Sequence, residues 1–156
     1  MPVEALVQFL NVDLLIGGRF DSEPLLQALG GDVFLLHEDA VIQGKKCMLV
    51  ELARPGLDVV RTLSRLVAWV ERLPPRARGS WERASIRRFD IGIQAGKSPH
   101  ETHWVVPQRL VAALAKIGAD VALTVYGAEW RDGRRQRGAT TRKRAATGRR
   151  IARKSR

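Results

Sequence analysis

A segment near residue 92 has part of the composition of a phosphate-binding loop. Residues 92–98 follow a strand-like stretch and end in Gly-Lys-Ser. Phosphate loops place four residues between their glycines so that successive backbone N–H groups surround the phosphates, whereas three residues separate Gly92 from Gly96. Residues 99–101, Pro-His-Glu, are also a poor start for the helix whose N-terminus should face the anion. We interpret the segment as a turn after a strand and predict no cofactor.

His100 and His103 suggest a metal site. Together they supply at most half of a tetrahedral zinc site, and His37 is the only other histidine. Cys47 is the only cysteine, which excludes a disulfide within the chain and a cysteine-based zinc cluster. We therefore predict solvent-exposed loop histidines and no bound metal.

Cys47 is also the only candidate for a cysteine nucleophile. Such a nucleophile needs a base within hydrogen-bond reach, and the sequence indicates none. We interpret Cys47 as a small buried residue of a hairpin strand. Because no nucleophile, metal set or cofactor loop remains, the sequence favours a protein that is not an enzyme.

Asp13 and Asp90 each interrupt an apolar, strand-like segment at positions that alternate with the apolar residues. If these strands are neighbours, the two carboxylates would meet near Arg88 on the sheet face turned away from the helices. Such a pair could perform general acid and base chemistry, pair with arginines, or simply belong to the polar open face of an antiparallel sheet. We hypothesise that Asp13, Arg88 and Asp90 mark the surface for a protein partner.

The positive charge of the chain is concentrated at its C-terminus. Residues 131–156 contain twelve Lys and Arg against one acid, a charge of +11, which equals the charge of the whole chain. Subtracting them from 27 basic and 16 acidic residues leaves fifteen of each sign in residues 1–130. The tail has too few apolar residues to offset its ordering entropy by burial. We predict a single folded domain over residues 1–130 and a disordered tail over residues 131–156.

A flexible polycation binds phosphates by releasing counterions, which needs no fold and reads no base sequence. No aromatic residue lies among the basic clusters, so stacking on bases is not indicated. The clusters could instead address a nucleus, contact anionic lipid or an acidic protein, or be a solvated extension. The predicted nucleic-acid-binding residues are Arg134, Arg135, Arg137, Arg142, Lys143, Arg144, Arg149, Arg150, Arg153 and Lys154.

Hydrophobic periodicity predicts the elements that position these residues. The predicted strands are residues 5–16, 33–37, 46–52 and 86–94, with residues 33–52 forming a hairpin that residues 40–42 would extend. The predicted helices are a short one capped by Asp21 or Ser22 and stopped at Gly30-Gly31, a long one over residues 57–73, and a short helical turn over residues 75–84 that carries Trp81. We expect Trp69 and Trp81 to pack helices onto the sheet.

The clearest pattern closes the folded part. Pro107 would begin a helix, and Gly118 would end it. Its apolar stripe comprises Leu110, Val111, Leu114, Ala115 and Ile117. Alternation of Val121, Leu123 and Val125 with small or polar residues then predicts a last strand.

The resulting order of elements predicts an α+β fold with a mainly antiparallel sheet and helices on one face. Its first six elements match a ferredoxin-like βαββαβ unit, to which one helix and one strand are appended, although element order alone leaves strand pairing open. No apolar run approaches the length of a membrane span, and the N-terminus lacks the cationic start of a secretory signal. With a lone cysteine as well, we expect a cytoplasmic protein.

Four motifs resemble a family of small bacterial proteins of unknown function. They are residues 11–14 (Asn-Val-Asp-Leu), the helix end at residues 26–30, residues 89–93 (Phe-Asp-Ile-Gly-Ile) and the unit at residues 110–126. Some proteins in that neighbourhood are encoded beside polymorphic toxins, so the resemblance implies an immunity role. It implies no catalytic residues, and the basic tail is not part of its pattern.

Two functional hypotheses follow. The first is a binding module without enzymatic activity whose basic tail contacts nucleic acid non-specifically. The alternative is an immunity-type protein that binds and neutralises a toxin protein through its folded domain.

Overall fold

The computed structural model of the chain describes residues 6–53 and 56–127. Within these residues the chain forms five strands and four helices. In chain order they are β1 (Gln8–Gly17), α1 (Glu23–Gln27), β2 (Val33–Ile42), β3 (Lys45–Leu52), α2 (Val59–Glu71), α3 (Pro75–Arg83), β4 (Ile86–Gln94), α4 (Gln108–Lys116) and β5 (Asp120–Tyr126). The predictions for residues 131–156 lie outside the described part of the chain.

The strands form one sheet in the order β2-β3-β1-β4-β5. The pairs β2–β3, β3–β1 and β1–β4 are antiparallel, whereas β4–β5 is parallel. The predicted α+β class and mainly antiparallel sheet are therefore confirmed. The parallel pair follows from the α4 crossover, since two parallel neighbours cannot be joined by a tight turn.

The predicted hairpin is confirmed, and residues 40–42 extend it. The turn lies at Gln43 and Gly44, which have positive φ angles of 53° and 72°, as two-residue hairpin turns require. The first strand of the hairpin, β2, continues through Glu38 and Asp39, and its pairing with β3 shifts register on both sides of His37. We predicted that this strand would end at residue 37 because Glu38 and Asp39 favour turns. The strand instead runs to Ile42.

Helix ends are where the predictions needed most correction. Helix α2 is shorter than the predicted residues 57–73 because it starts after Asp58, whose Oδ1 accepts a hydrogen bond of 2.7 Å from the backbone N–H of Arg61. The short helical segment predicted over residues 75–84 is confirmed as a nine-residue helix, α3. Ser22 occupies the N-cap position of α1 but makes no capping hydrogen bond with its side chain. Asp21 instead accepts one from the N–H of Glu23.

The main core lies between the helices and one face of the sheet. Buried residues from all four helices join a single cluster with Val12, Leu14 and Ile16 of β1. A smaller cluster on the opposite face, around Leu15, Cys47 and Ile86, contains no helix residue of the described chain. None of the described helices is long and apolar enough to cross a membrane.

Two tryptophans connect elements within this core through their indole N–H groups. Trp81 of α3 donates a hydrogen bond of 2.9 Å to the carbonyl of Ile117, and Trp69 of α2 donates one of 3.0 Å to the carbonyl of Ala28. Trp81 is almost fully buried, whereas Trp69 is half-buried. Their expected packing role is confirmed.

The closing helix buries a narrower stripe than expected. Leu110, Leu114 and Ile117 are buried, whereas Val111 and Ala115 are exposed. Gly118, with φ of +68°, allows the chain to leave the helix and enter β5. The apolar side chains of β5 are themselves exposed, which the alternation pattern did not indicate.

Candidate functional site: the open face of the sheet

Asp13 and Asp90 project from the face of the sheet that the helices leave uncovered. Val12 and Leu14 flank Asp13, and their side chains are buried in the helix-side core. Since successive strand residues point to opposite faces, Asp13 points away from the helices. Asp90, between the buried residues Phe89 and Ile91, does the same. We call this side of the sheet the open face.

Three carboxylates form a line across the open face. Asp13 of β1 lies directly opposite Asp90 of β4 in the antiparallel ladder. On its other side Leu14 pairs with Val50, so the next position along the ladder brings Glu51 of β3 beside Asp13. We call Glu51, Asp13 and Asp90 the carboxylate row. The sequence predicted that Asp13 and Asp90 would meet if their strands were neighbours. The strands are neighbours, the two residues lie opposite each other, and Glu51 adds a third carboxylate beside them.

Neighbouring polar side chains hold the two aspartates in place. The side-chain amide of Asn11 donates a hydrogen bond of 2.8 Å to Asp13 Oδ1. The hydroxyl of Thr124 lies 2.7 Å and 2.9 Å from the two carboxylate oxygens of Asp90 and can donate to either. These bonds use only part of the accepting capacity of each carboxylate.

Gly92 makes room for this arrangement. It pairs with Asn11 on one side and with Thr124 on the other. A Cβ atom at this position would lie 2.7 Å from Asn11 Oδ1, closer than real contacts allow. The glycine that looked like the first residue of a phosphate loop is therefore a buried strand residue.

Burial and neighbouring charges alter the acidity of the row. Burial, followed by the charges of Glu51 and Asp90, raises the pKa of Asp13 from 3.8 to about 6, while His37 lowers it. Burial, together with Asp13 and Asp90, also raises the pKa of Tyr126 at the end of β5. A carboxyl group with a pKa near 6 is mostly ionised at pH 7 and mostly neutral at pH 5. The open face is therefore acidic at neutral pH and less so in mild acid.

Arg88 shares the open face but does not neutralise the row. It lies two residues before Asp90 on β4 and opposite Leu15 of β1. Within the described residues, no salt bridge joins Arg88 to either aspartate. The three residues of the hypothesised partner surface thus occupy one face, with the cation beside the carboxylates rather than bound to them.

The remaining chemical candidates are placed as follows. Helix α4 begins ten residues after Ser98, too far away to offer its N-terminus to a phosphate held by residues 92–98. His100 and His103 are exposed, and His103 contacts Glu101. No three His, Cys, Asp or Glu side chains of the described residues are arranged to hold a metal ion.

Cys47 is fully buried, as predicted. Its burial raises the pKa of the thiol. A buried thiol with a raised pKa is a poor nucleophile, because the thiolate is the reactive form.

Sequence reasoning missed Asn11, Glu51 and Thr124. Two of them carried a usable signal: Glu51 lies between Val50 and Leu52, and Thr124 lies between Leu123 and Val125. These are the same polar interruptions that singled out Asp13 and Asp90. The predicted tail residues, from Arg134 to Lys154, are not among those that the structure describes.

Comparisons of the chain with models of protein families, with curated proteins and with solved structures found no match. The resemblance to small bacterial proteins encoded near toxins therefore stays a prediction.

Proposed function

We propose that this chain is a binding module without enzymatic activity, with an acidic surface on its folded domain and a cationic tail that contacts nucleic acid non-specifically. The observation that carries the proposal for the folded domain is the uncovered carboxylate row. Asp13 and Asp90 have hydrogen-bond donors that orient them and no cation that neutralises them, within the described residues. Oriented carboxylates with free accepting capacity suit the guanidinium and ammonium groups of a basic protein surface.

The charge distribution supports a separate role for the tail. Twelve basic residues and one acid stand after residue 130, whereas the body is balanced. A polycation of this kind supplies affinity for phosphates through counterion release, so binding would depend steeply on salt and little on base sequence. The ten tail residues from Arg134 to Lys154 named above are the proposed contacts.

An immunity-type function is the second candidate, and the open face favours it. A toxin with a basic surface, such as one that acts on nucleic acid, would fit the carboxylate row by charge. The cognate partner would then be a protein, and the tail would be secondary. The resemblance to a family encoded near toxins supports the same candidate.

The order β2-β3-β1-β4 with antiparallel pairing throughout supports our proposal that these strands, with the helices between them, form a ferredoxin-like unit. In that description α4 and β5 are an appended helix and strand. The cytoplasmic location inferred from the sequence stays a prediction.

The tail proposal is tested by duplex binding across a salt series. We would compare the full chain with a full-length variant in which the ten named Arg and Lys residues are replaced by Gln, which preserves length while removing charge. The expected result is a log–log salt slope of several units for the full chain, on the order of the number of phosphates contacted. Loss of detectable binding is expected for the variant. Absence of binding by the full chain at low salt would contradict the proposal.

The folded-domain proposal is tested by affinity capture with the full chain and with the double variant Asp13→Asn, Asp90→Asn. The control is Asp39→Asn, which removes an exposed carboxylate on β2, paired with Lys46 and outside the row. We expect a protein partner that the wild type and the control retain and the double variant loses. Identical protein sets for all three would show that the open face is not the partner surface.

A further inference from the structure

The described residues that line a cleft at one end of the sheet include four cations and no acid. Strand β1 ends at this cleft, and strands β3 and β4 begin there. The cleft has a volume of about 540 Å³ and is lined by Gly18, Arg19, Lys45, Lys46, Arg83 and Ser85. We call it the cationic cleft. Residues 1–130 contain as many acids as bases, so the cleft is a local separation of charge.

The backbone at Gly18 brings the lining residues together. Gly18 donates its N–H to the carbonyl of Lys46 at 3.0 Å, and Ser85 donates its N–H to the carbonyl of Gly17 at 2.9 Å. The chain is thereby bonded on both sides at the point where β1 ends. A Cβ atom on Gly18 would overlap the Ser85 hydroxyl, and its φ of +94° also favours glycine. The glycine therefore leaves room for that hydroxyl in the cleft.

Most of the cations in the cationic cleft have no acid that neutralises them. Lys46 forms an exposed ion pair with Asp39, with 2.6 Å between Nζ and Oδ1. Among the described residues, no ion pair joins Arg19, Lys45 or Arg83 to a carboxylate. Charges of one sign in a cleft repel one another and concentrate the field there, which raises the local concentration of ions of the opposite sign. A bound anion would remove the repulsion.

The cationic cleft also presents hydrogen-bond donors that suit phosphate. Lys45 donates to Ser85 Oγ at 3.3 Å, which leaves the hydroxyl hydrogen of Ser85 free to donate to a ligand. Arg83 donates to Ser80 Oγ at 3.2 Å, so most of its guanidinium N–H groups remain available. Ammonium, guanidinium and hydroxyl groups are the side-chain donors with which proteins contact the phosphates of nucleic acids.

We propose that the cationic cleft binds backbone phosphates of a nucleic acid that the tail holds, an inference that rests on the proposed function of the tail. Among the described residues, the lining includes no apolar or aromatic side chain. It therefore offers no surface on which a base could stack or into which an acyl chain could insert. A concave site also fits a nucleic acid strand better than the flat surface of a bilayer. The ligand is thus recognised through its phosphates alone.

The tail and the cationic cleft can contact the same duplex. The 26 residues after position 130 can span at most about 90 Å, whereas the nine residues of β4 extend over about 30 Å. A duplex bound by the tail therefore lies within reach of the cleft, and the second contact adds affinity as an intramolecular step. Three or four phosphate contacts alone give weak binding, so the contribution of the cleft is measured with the tail intact.

The first test compares the salt dependence of duplex binding in three full-length proteins. The cleft variant carries Arg19→Gln, Lys45→Gln and Arg83→Gln. Because each lost phosphate contact lowers the log–log salt slope by about one, we expect the slope to fall by about 2 to 3 units. Binding at about 0.1 M salt should weaken roughly tenfold or more. The control, which should keep the slope of the wild type, replaces three exposed cations of α2 and α4 outside the cleft: Arg61→Gln, Arg109→Gln and Lys116→Gln.

A cleft variant with the slope and affinity of the wild type would overturn the inference and leave the tail proposal standing. Equal losses in the cleft variant and the control would also overturn it, because net charge alone would explain them. A wild-type chain that binds no duplex would overturn both proposals. Circular dichroism of each variant identifies a failure to fold.

The second test uses only the wild-type full chain, so it does not depend on the folding of a variant. Lysines are acetylated with an amine-reactive reagent in the presence and absence of the duplex, and each site is followed by mass spectrometry. We expect the duplex to slow the acetylation of Lys45 several-fold, together with that of Lys143 and Lys154 in the tail. Lys116, exposed on α4 and outside the cleft, should react at an unchanged rate.

Protection of Lys143 and Lys154 without protection of Lys45 would refute the cleft as a contact while supporting the tail proposal. Equal protection of Lys45 and Lys116 would refute it too, because it would indicate general shielding. The same reaction with phosphatidylserine vesicles separates nucleic acid from lipid. Protection of Lys45 by the vesicles and not by the duplex would make a lipid surface the ligand and overturn the inference.

Discussion

Asp13 and Asp90 lie directly opposite each other on neighbouring antiparallel strands, each with a carboxylate on the open face. Like charges in this position weaken a sheet. Hydrogen bonds from Asn11 and Thr124 compensate in part, and Asp13, with its pKa raised to about 6, takes up a proton in mild acid. An apolar pair at these positions would strengthen the ladder, so the carboxylates are a stability cost consistent with a binding surface.

The first prediction concerns pH and Asp13. Because the pKa of Asp13 in the fold, about 6, is above its usual 3.8, the native state binds the proton more tightly than the unfolded chain. The associated stability is fully present below about pH 4 and is lost as pH rises through 6. Asp13→Asn should therefore gain stability relative to wild type between pH 4 and 7, by about 1–2 kcal/mol after allowance for solvent screening.

The measurement is urea unfolding of both proteins at several pH values. Glu82→Gln, which removes an exposed carboxylate from α3, serves as the control. Its difference in stability from wild type should change less with pH than that of Asp13→Asn. A difference between Asp13→Asn and wild type that is constant with pH would contradict the assigned titration.

The second prediction concerns the link between α3 and the end of α4. Trp81→Phe removes the N–H that bonds to the carbonyl of Ile117 and leaves that acceptor buried, so we expect a loss of about 1–3 kcal/mol in the free energy of unfolding. Trp69→Phe, whose indole bonds to Ala28 at a half-buried site, should lose less. Chemical unfolding followed by circular dichroism measures both, and equal losses would show that burial of this bond is unimportant.

The third prediction concerns close packing at the end of β1. A Cβ atom on Gly17 would lie closer than van der Waals contact to Cys47 Sγ and 3.1 Å from the carbonyl of Lys46. Gly17→Ala should therefore destabilise the fold by about 1–3 kcal/mol. Gly79→Ala in α3 meets only the end of the Arg83 side chain and should stabilise by about 0.5–1 kcal/mol.

A double-mutant cycle makes the test of Gly17 specific. Adding Cys47→Ala to Gly17→Ala removes the sulfur atom that causes the clash, so the double variant should lose less stability than the sum of the two single variants. Additive losses would locate the strain elsewhere.

The fourth prediction concerns the start of α2. Asp58→Ala removes the carboxylate that accepts the N–H of Arg61 and should destabilise the protein by about 0.5–2 kcal/mol. Ser22→Ala is the matched control, because Ser22 occupies an N-cap position without a side-chain capping bond. Thermal unfolding of the two variants should separate them, and equal shifts in Tm would argue against a capping role for Asp58.

Much of the secondary structure was predictable because its signals are local. The apolar repeat of Leu63, Leu66 and Val70 indicates a helix whatever packs against it, and Gln43-Gly44 suits a two-residue hairpin turn wherever the hairpin lies. Helix ends were less predictable, because Asp58 as a cap competes with the apolar residue beside it, Leu57. The difference between residues 57–73 and Val59–Glu71 reflects that competition.

The sequence by itself determined the order of the helices and strands, the electrical balance of residues 1–130, and the excess positive charge that follows them. These properties depend only on residues close together in the chain. The tertiary structure alone decided that Asp13 faces Asp90 with Glu51 beside them, and that the apolar side of β5 is exposed. Both depend on which strands become neighbours and how far the helix layer extends. Contacts between residues far apart in the chain determine the strand neighbours and the extent of the helix layer, so the local periodicity of the sequence does not predict them.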